Sequence, residues 1–365
     1  MDRAIFPKLF ISVFLFTFLS CENDIEITPL NPVKFPEASE SFIIEEGLYE
    51  NVFLLDSFII MNGKRRTNDK LIHVYNKNNL QLITKFGTNG LAPFELPGGW
   101  PLDNASITQK SDNILFYDTR TWHFKTINLD KIVKEGDIAN SISSKPMDRD
   151  LLMSAKINQL NDNEFAVVNY FDKEIKGLFF IYDTIKKEKK WIPHVLKMNV
   201  EDNYKRELYF GQFHANNTKN TIIYASRYFD QVLFFDSHGN FKKQYAFSKL
   251  KIPDFSKNSH LPSIETSILY AVSSYASSEF CFVLRHGRVG KNIISPPPPL
   301  LLVFNWDGLL MKTFELTESV IPPPNVIFCY DEEFGYLYSF ESSKEENDPY
   351  VIVRKYHIGE FLKVN

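Results

Sequence analysis

Cysteine is scarce in this chain, three residues in 365, and no two of them stand in a CxxC spacing. A zinc ribbon and a thioredoxin-type redox pair therefore have no support. Cys281 and Cys329 lie inside the apolar runs EFCFVL and VIFCY, where cysteine acts as a small buried hydrophobe. Their pairing in an oxidising compartment stays open, because sequence alone carries no pair geometry. Long blocks of like charge are missing and the net charge is only −4, which argues against a nucleic-acid partner, since that calls for a basic stripe. There is no GxSxG nucleophile elbow and no HExxH, and the eight histidines fall at no metal-ligand spacing. Past Ser41 no helical period runs longer than two turns.

Aromatic residues make up 15% of the chain, with 33 Phe and 17 Tyr, and such side chains favour strands. From Ser41 onward, apolar runs of a few residues alternate with Asn, Asp, Gly and Pro, the pattern of strands and turns. Thr221–Tyr245 is the clearest stretch: two apolar runs, a polar break at 226–231 between them, a turn at 236–240 and a third short run. Weaker versions recur, giving six units with a period of about 50 residues, a length that signals a propeller. The first unit holds Val52–Leu55, Phe58–Met61, Leu71–Tyr75 and Leu82–Phe86. The second starts at Ala105–Thr108 and has a ragged fourth strand. A sheet that cannot bury both faces alone must stack radially with its neighbours. The expected fold is all-β, a six-bladed β-propeller with four-stranded antiparallel blades. The last unit lacks a clear fourth strand, and Phe42–Glu45 is the candidate to complete it from the other end of the chain.

The first twenty residues divide into a positive start (Arg3, Lys8) and a short Phe- and Leu-rich run, Leu9–Leu19. That run is too short to span a bilayer and reads as an export signal. Its end, Phe18-Leu19-Ser20-Cys21, resembles a bacterial lipobox, with Phe18 where Leu is usual. Two readings stand: Cys21 as the lipidated mature N-terminus, or an ordinary cleaved signal with Cys21 incidental. Glu22, Asp24 and Glu26 follow, similar to the surface-export signal of lipoproteins in the Bacteroidetes, or else a solvated linker. The expected division is a signal peptide at 1–20, an acidic, proline-containing tether at 21–40, and the propeller domain at 41–365.

Phe86-Gly87-Thr88-Asn89-Gly90-Leu91-Ala92-Pro93-Phe94-Glu95 resembles the inter-blade segment of NHL-type and TolB-like six-bladed propellers. Gly87 and Gly90 would supply unusual φ values there, and Pro93 would stiffen the turn. Ile222–Phe241 is similar to the core of one such blade, and the whole resembles six-bladed propeller lipoproteins of the Bacteroidetes. The resemblance implies that the loop between second and third strands lies on one face with the loop entering each blade. Those loops carry Arg66, Arg120 with Trp122, Tyr170, Arg227 with Tyr228, and Arg285 with Arg288. Guanidinium groups around a pore would suit a carboxylate- or phosphate-bearing ligand, and the aromatic faces would stack on sugar rings. The other reading of the same arginines, also implied by the resemblance, is a set of braces between blades. The insertion Arg285–Pro299, with its Pro296–Pro299 run, reads as a lid or a docking arm, or else as a stiffened surface loop.

Some related propellers are calcium-dependent lactonases or hydrolases, and Asp103, Asn104 and Asn216 are the candidate ligands for calcium in that alternative. The favoured expectation is a binding module in the cell envelope. It would be held at the outer membrane by its lipid anchor, with a glycan or an envelope protein as partner.

Overall fold

The structure, a computed structural model, describes residues 26–44, 49–55, 57–63, 70–88, 95–96, 99–101, 113–118, 121–152, 154–169, 175–193, 202–255, 262–263, 266–289, 298–316, 327–342 and 350–363. Before the ring come β1 (Val33–Lys34) and β2 (Glu40–Ile44). Blade 1 is β3 (Tyr49–Leu55), β4 (Phe58–Gly63), β5 (Ile72–Asn76) and β6 (Leu82–Phe86). Blade 2 is β7 (Gly99–Pro101), β8 (Asn113–Asp118), β9 (His123–Asn128) and β10 (Ile142–Pro146), with α1 (Leu129–Glu135) and α2 (Ile138–Ser141) inserted before β10. Blade 3 is β11 (Lys156–Gln159), β12 (Glu164–Val168), β13 (Phe179–Asp183) and β14 (Glu188–Ile192). After α3 (Asp202–Leu208), blade 4 is β15 (Gly211–Asn216), β16 (Thr221–Ser226), β17 (Gln231–Phe235) and β18 (Phe241–Ala246). Blade 5 is β19 (Ile268–Ala276), β20 (Phe280–Val289), β21 (Leu300–Asn305) and β22 (Leu310–Glu315). Blade 6 is β23 (Ile327–Asp331), β24 (Tyr336–Ser342) and β25 (Val351–His357), followed by α4 (Gly359–Leu362).

The protein is a six-bladed β-propeller of antiparallel blades. Consecutive strands pair in order within each blade, the first innermost and the fourth outermost. The expected closure is present: β2 pairs antiparallel with β25, Phe42 opposite Val353, and supplies the outer strand of blade 6. The middle strands are buried on both faces because neighbouring blades cover them, so they read as unbroken apolar runs, as in IIYA of β16 and VLFF of β17. Outer strands are half exposed and polar, as in β14 (EKKWI) and β18 (FKKQYA). Aromatic pairs fill the seams. Phe124 stacks on Phe165 between blades 2 and 3, and Phe179 meets Phe213 between blades 3 and 4. Phe234 meets Phe304 between blades 4 and 5, and Phe282 meets Tyr330 between blades 5 and 6. The high phenylalanine content belongs to these seams.

One turn recurs between the third and fourth strands. An Asp or Asn at the end of the third strand accepts backbone N–H groups of the turn: Asn76, Asp183, Asp236 and Asn305 in blades 1, 3, 4 and 5. Each of these turns puts one residue at positive φ, namely Leu80, Lys187, Gly239 and Gly308. At Gly239 a side chain is also excluded by space, since a Cβ would sit 2.1 Å from the Ile192 Cδ1 of blade 3. Gly87 has the expected positive φ, 81°; Gly90 and Pro93 lie outside the described residues.

The structure corrects the sequence reading in four places. Residues 27–40 are extended, but they are docked along the outer edges of blades 4, 5 and 6. Thr28 N–H bonds to Ala246 O at 2.7 Å, β1 adds a parallel fifth strand to β22, and the Phe35 ring, 2% exposed, packs edge-on against Phe314 and Tyr356. Ordered packing thus starts before Ser41, because one aromatic among the prolines finds a slot between blades 5 and 6. The inner strand of blade 2 is Gly99–Pro101, paired with β8; Ala105–Thr108 lies outside the described residues. Its fourth strand looked ragged because α1 and α2 intervene, capped by the Asn128 and Asp137 side chains. Residues 285–289, expected in a loop, continue β20, with Arg288 opposite Leu269. Cys281 and Cys329 are both free and buried, in different blades.

Candidate functional site

Antiparallel order places the turn between second and third strands on the same face as the connection entering the next blade. Between blades 4 and 5 that face gathers Arg227, Tyr228, Asp230, Tyr270 and Arg285. The turn after β16 is fixed locally: Ser226 Oγ accepts from Phe229 N–H at 3.2 Å. The backbone of Arg227 is then held twice. Its N–H bonds to Phe210 O at 3.0 Å, and its carbonyl accepts from Tyr270 N–H at 2.8 Å, across the seam.

The two arginines of this seam have different fates. Arg285 donates Nε–H and Nη2–H to the two carboxylate oxygens of Asp230, both at 2.7 Å, and lies over the Tyr270 ring at 5.6 Å. Asp230 is 2% exposed, so this bidentate pair bolts blade 5 to blade 4. Burial works against the Arg285 charge; the hydrogen bonds and charge of Asp230 outweigh it and raise the pKa above its ordinary value. No ion pair holds Arg227 among the described residues, although the Glu207 carboxylate is near enough for its charge to act on the neighbouring Tyr228. The Arg227 guanidinium sits over the Phe210 ring at 5.0 Å and near Tyr228 at 6.0 Å, and its Nε is buried without a hydrogen-bond partner. Burial pushes the Tyr228 hydroxyl above its usual pKa; the Arg227 charge pulls it partly back and the Glu207 charge adds to the rise. The aromatic shelf holds a partly buried cation whose Nε–H meets no acceptor. That arrangement can take a carboxylate or phosphate oxygen.

Trp122 lies on the same face in blade 2, 48% exposed, with φ at +59°. Its N–H bonds to Asp118 O and its carbonyl accepts from Met147 N–H. Beneath it, the buried Asp118 pairs with Lys125 at 3.3 Å and accepts the Thr121 hydroxyl at 2.6 Å. Arg66, Arg120 and Tyr170 lie outside the described residues, as does the side chain of Arg288. Of the expected cluster, Arg227, Tyr228 and Arg285 come together at one seam, and Trp122 stands two blades away. Sequence reasoning missed Asp230, Phe210 and Tyr270. The signal for Asp230 was present in Arg227-Tyr-Phe-Asp230, a carboxylate that leaves the loop as the next strand begins.

Asn216 belongs to the opposite face, at the β15–β16 hairpin. Its Oδ1 accepts from Thr218 Oγ1 and Lys219 N–H, and its Nδ2 donates to Ser278 O in blade 5. Those contacts make it a turn-former and a strut. Asp103 and Asn104 lie outside the described residues. Among the described residues, no group of three or more His, Cys, Asp or Glu is placed to hold a metal ion.

The inner strands carry a polar row. Lys156 Nζ and Ser274 Oγ both donate to Gln212 Oε1 at 3.1 Å, and His214 Nε2 lies 2.6 Å from Ser274 Oγ. A serine–histidine contact invites a nucleophile reading. Ser274 Oγ is within hydrogen-bond distance of both Gln212 Oε1 and His214 Nε2, so the contact belongs to a polar row rather than to an isolated serine–histidine pair.

No family model matches the chain, and no curated protein matches it. Solved structures do. A member of the DUF4221 family from Bacteroides vulgatus superposes with a TM-score of 0.53 at 11% identity, over 88% of this chain and 97% of its own. A protein from Bacteroides fragilis whose export is inferred superposes with a TM-score of 0.53 at 12% identity, over 89% of this chain and 97% of its own. At these identities the likeness is one of fold. Among the described residues, no helix is long and apolar enough to cross a membrane.

Proposed function

We propose that this chain is an envelope-anchored binding module whose Arg227 face takes an anionic ligand, a uronate-bearing glycan or the acidic surface of an envelope protein. The observation that carries the reading is the Arg227 guanidinium, held on Phe210 with its Nε buried and without a hydrogen-bond partner. The lipobox-like Cys21 and the fold likeness to Bacteroides proteins support an outer-membrane lipoprotein of a Bacteroidetes-type envelope. Tyr228 and the exposed Trp122 would offer stacking faces to sugar rings. Arg285 acts as a brace and contributes through the scaffold.

A thermal-shift series on the full chain tests this, with acidic and neutral glycans compared. A ligand that binds only the folded state raises the midpoint by mass action. Acidic glycans are expected to raise it and neutral ones to leave it unchanged. Arg227→Ala is expected to abolish the rise and Arg227→Lys to keep only part of it, because an ammonium cannot bond bidentately. A rise that persists in Arg227→Ala would overturn the assignment. The series has to retain residues 26–40, since deleting them removes β1 and Phe35 from the fold.

A further inference from the structure

We propose that the outer edge of blade 4 is the side of the propeller that faces a lipid surface, and that its lysines and exposed apolar side chains set the orientation of the ring on an anionic bilayer. The inference rests on the reading of Cys21 as a lipid anchor, and three observations build it.

The first is where the chain leaves the fold. Ile27 forms a parallel bridge with Ala246, and Thr28 N–H bonds to Ala246 O at 2.7 Å. The strap from there to β2 is laid against blades 4, 5 and 6. From Cys21 to Ile27 is a contour of at most about 20 Å, taking ~3.5 Å per residue. An acylated Cys21 therefore holds the edge of blade 4 within about that distance of the headgroups, while blade 1 stands on the far side of the ring.

The second is charge. Residues 241–252, FKKQYAFSKLKI, carry four lysines and no carboxylate. They form the outer strand β18 and the segment that continues from it. Lys242, Lys249 and Lys251 are exposed. Lys242 Nζ is also tied to Asn220 O and Thr221 Oγ1, and Lys243 lies over the Tyr245 ring. Against them stand Glu22, Asp24 and Glu26 in the tether, Asp236 and Asp254 next in the chain, and the exposed Asp307 of the blade 5 turn whose Gly308 carbonyl accepts the Tyr245 hydroxyl. Asp236 is occupied with the backbone of its own turn.

The third is apolar exposure spread along the same edge. Phe241 is 49% exposed, Ile252 46% and Ile27 53%. Lysines interleaved with exposed apolar side chains match an anionic interface, where the ammonium groups meet phosphate and the apolar tips enter the headgroup boundary. The acyl chains supply attachment, and the edge supplies orientation. With blade 4 down, the ring stands on its rim, and the Arg227 face opens sideways along the membrane.

The test uses the full chain reconstituted in vesicles of phosphatidylethanolamine and phosphatidylglycerol that carry a headgroup quencher. A fluorophore is attached at Lys249→Cys or at Leu82→Cys. Leu82 lies on the outer strand of blade 1 and is 44% exposed, so that edge is equally apolar and diametrically opposite. Cys281 and Cys329 are buried and should stay unlabelled. Quenching at Lys249→Cys is expected to exceed that at Leu82→Cys by about threefold or more, since headgroup contacts fade within about 10 Å of the surface. Adding Lys242→Glu and Lys251→Glu, with the probe moved to Ile252→Cys, is expected to erase the bias; a bias that survives the reversal overturns the role of the lysines. The mass of the N-terminal peptide reports acylation of Cys21 separately. An acylated Cys21 with equal quenching at both edges overturns the orientation and leaves the anchor standing. An unmodified Cys21 with the bias intact overturns the anchor alone, and an unmodified Cys21 with no bias overturns both.

Discussion

Two seams of this propeller manage buried cations in opposite ways. Where blade 6 meets blade 1, Lys77 is 5% exposed and reaches both Asp331 at 3.2 Å and Glu333 at 3.0 Å, with its ammonium over the Phe334 ring. Two carboxylates face that charge, Glu333 through a hydrogen bond and Asp331 through an ion pair whose Oδ2 makes no hydrogen bond. Where blade 4 meets blade 5, two guanidinium groups share one carboxylate's neighbourhood, and Asp230 pairs with Arg285 alone. Arg227 remains with aromatic rings on one side and, among the described residues, no ion pair; the Glu207 charge acts on the neighbouring Tyr228. The closed seam is structure, and the open one is structure with a charge to spare. Residue type does not separate the two roles; the position of the carboxylate does.

Breaking the closed seam should have the largest effect. Asp331→Ala leaves Lys77 buried with only Glu333, whose side chain is 65% exposed. The loss is expected to be about 3–5 kcal/mol in urea unfolding, as when one partner of a buried pair is removed. Glu333→Ala should cost under about 1 kcal/mol, since exposed partners contribute little. Equal costs for the two would show that burial is not what distinguishes them.

At the open seam, Asp230→Ala strands Arg285 and is expected to cost about 3 kcal/mol. Arg285 keeps some solvent contact at 16% exposure, so the loss should fall at or below that of Asp331→Ala. Replacing both partners, Asp230→Ala with Arg285→Met, should recover most of it, because no uncompensated charge remains. Arg227→Met is the sharper probe of the comparison. It removes a buried donor that bonds to nothing, so stability should stay within about 1 kcal/mol of the parent or rise slightly. A loss well beyond that would make Arg227 a brace like Arg285 and would remove the basis for the binding reading.

How far the chain could be read ahead of its structure follows from the same physics. Middle strands are buried on both faces, so runs such as Ile222–Ala225 and Val232–Phe235 stand out in the sequence and fix the blades to within a residue or two. The closing strand was legible because blade 6 lacked a partner and Phe42-Ile43-Ile44 supplied one. The strap was not, because Pro29, Pro32 and Pro36 mark an extended chain whether it is free or docked; only Phe35 among them signalled a slot. Blade 2 was obscured by two short helices that no long period announces. At the site, the loop position of Arg227 was visible, but whether an arginine braces or presents depends on a carboxylate brought in by tertiary structure. Asp230 is three residues from Arg227 in sequence and is bonded to Arg285, from the next blade.

The smallest effect concerns two tyrosines, one next in the chain to Asp331 and one at the open seam. Tyr330 precedes the Asp331 of the closed seam in β23 but packs on Phe282 across the seam of blades 5 and 6; its pKa is pushed up to about 12 by burial and then by the charges of Glu332 and Asp331. Tyr228, at the open seam, is raised by burial but drawn back by Arg227. For both, the folded state holds its proton more tightly than the unfolded chain, whose tyrosines titrate near pH ~10. Between that value and the folded pKa, the folded state binds more protons, so stability is complete below about pH 10 and is lost as pH rises through the folded pKa. In Arg227→Met the charge that draws Tyr228 down is gone, so its ultraviolet titration, isolated by difference against Tyr228→Phe, should move to higher pH while that of Tyr330 stays in place. An unmoved Tyr228 curve would mean that the Arg227 charge does not reach the shelf beside it. The seam would then present an aromatic surface rather than a cation, and neutral sugars would become the ligands to expect.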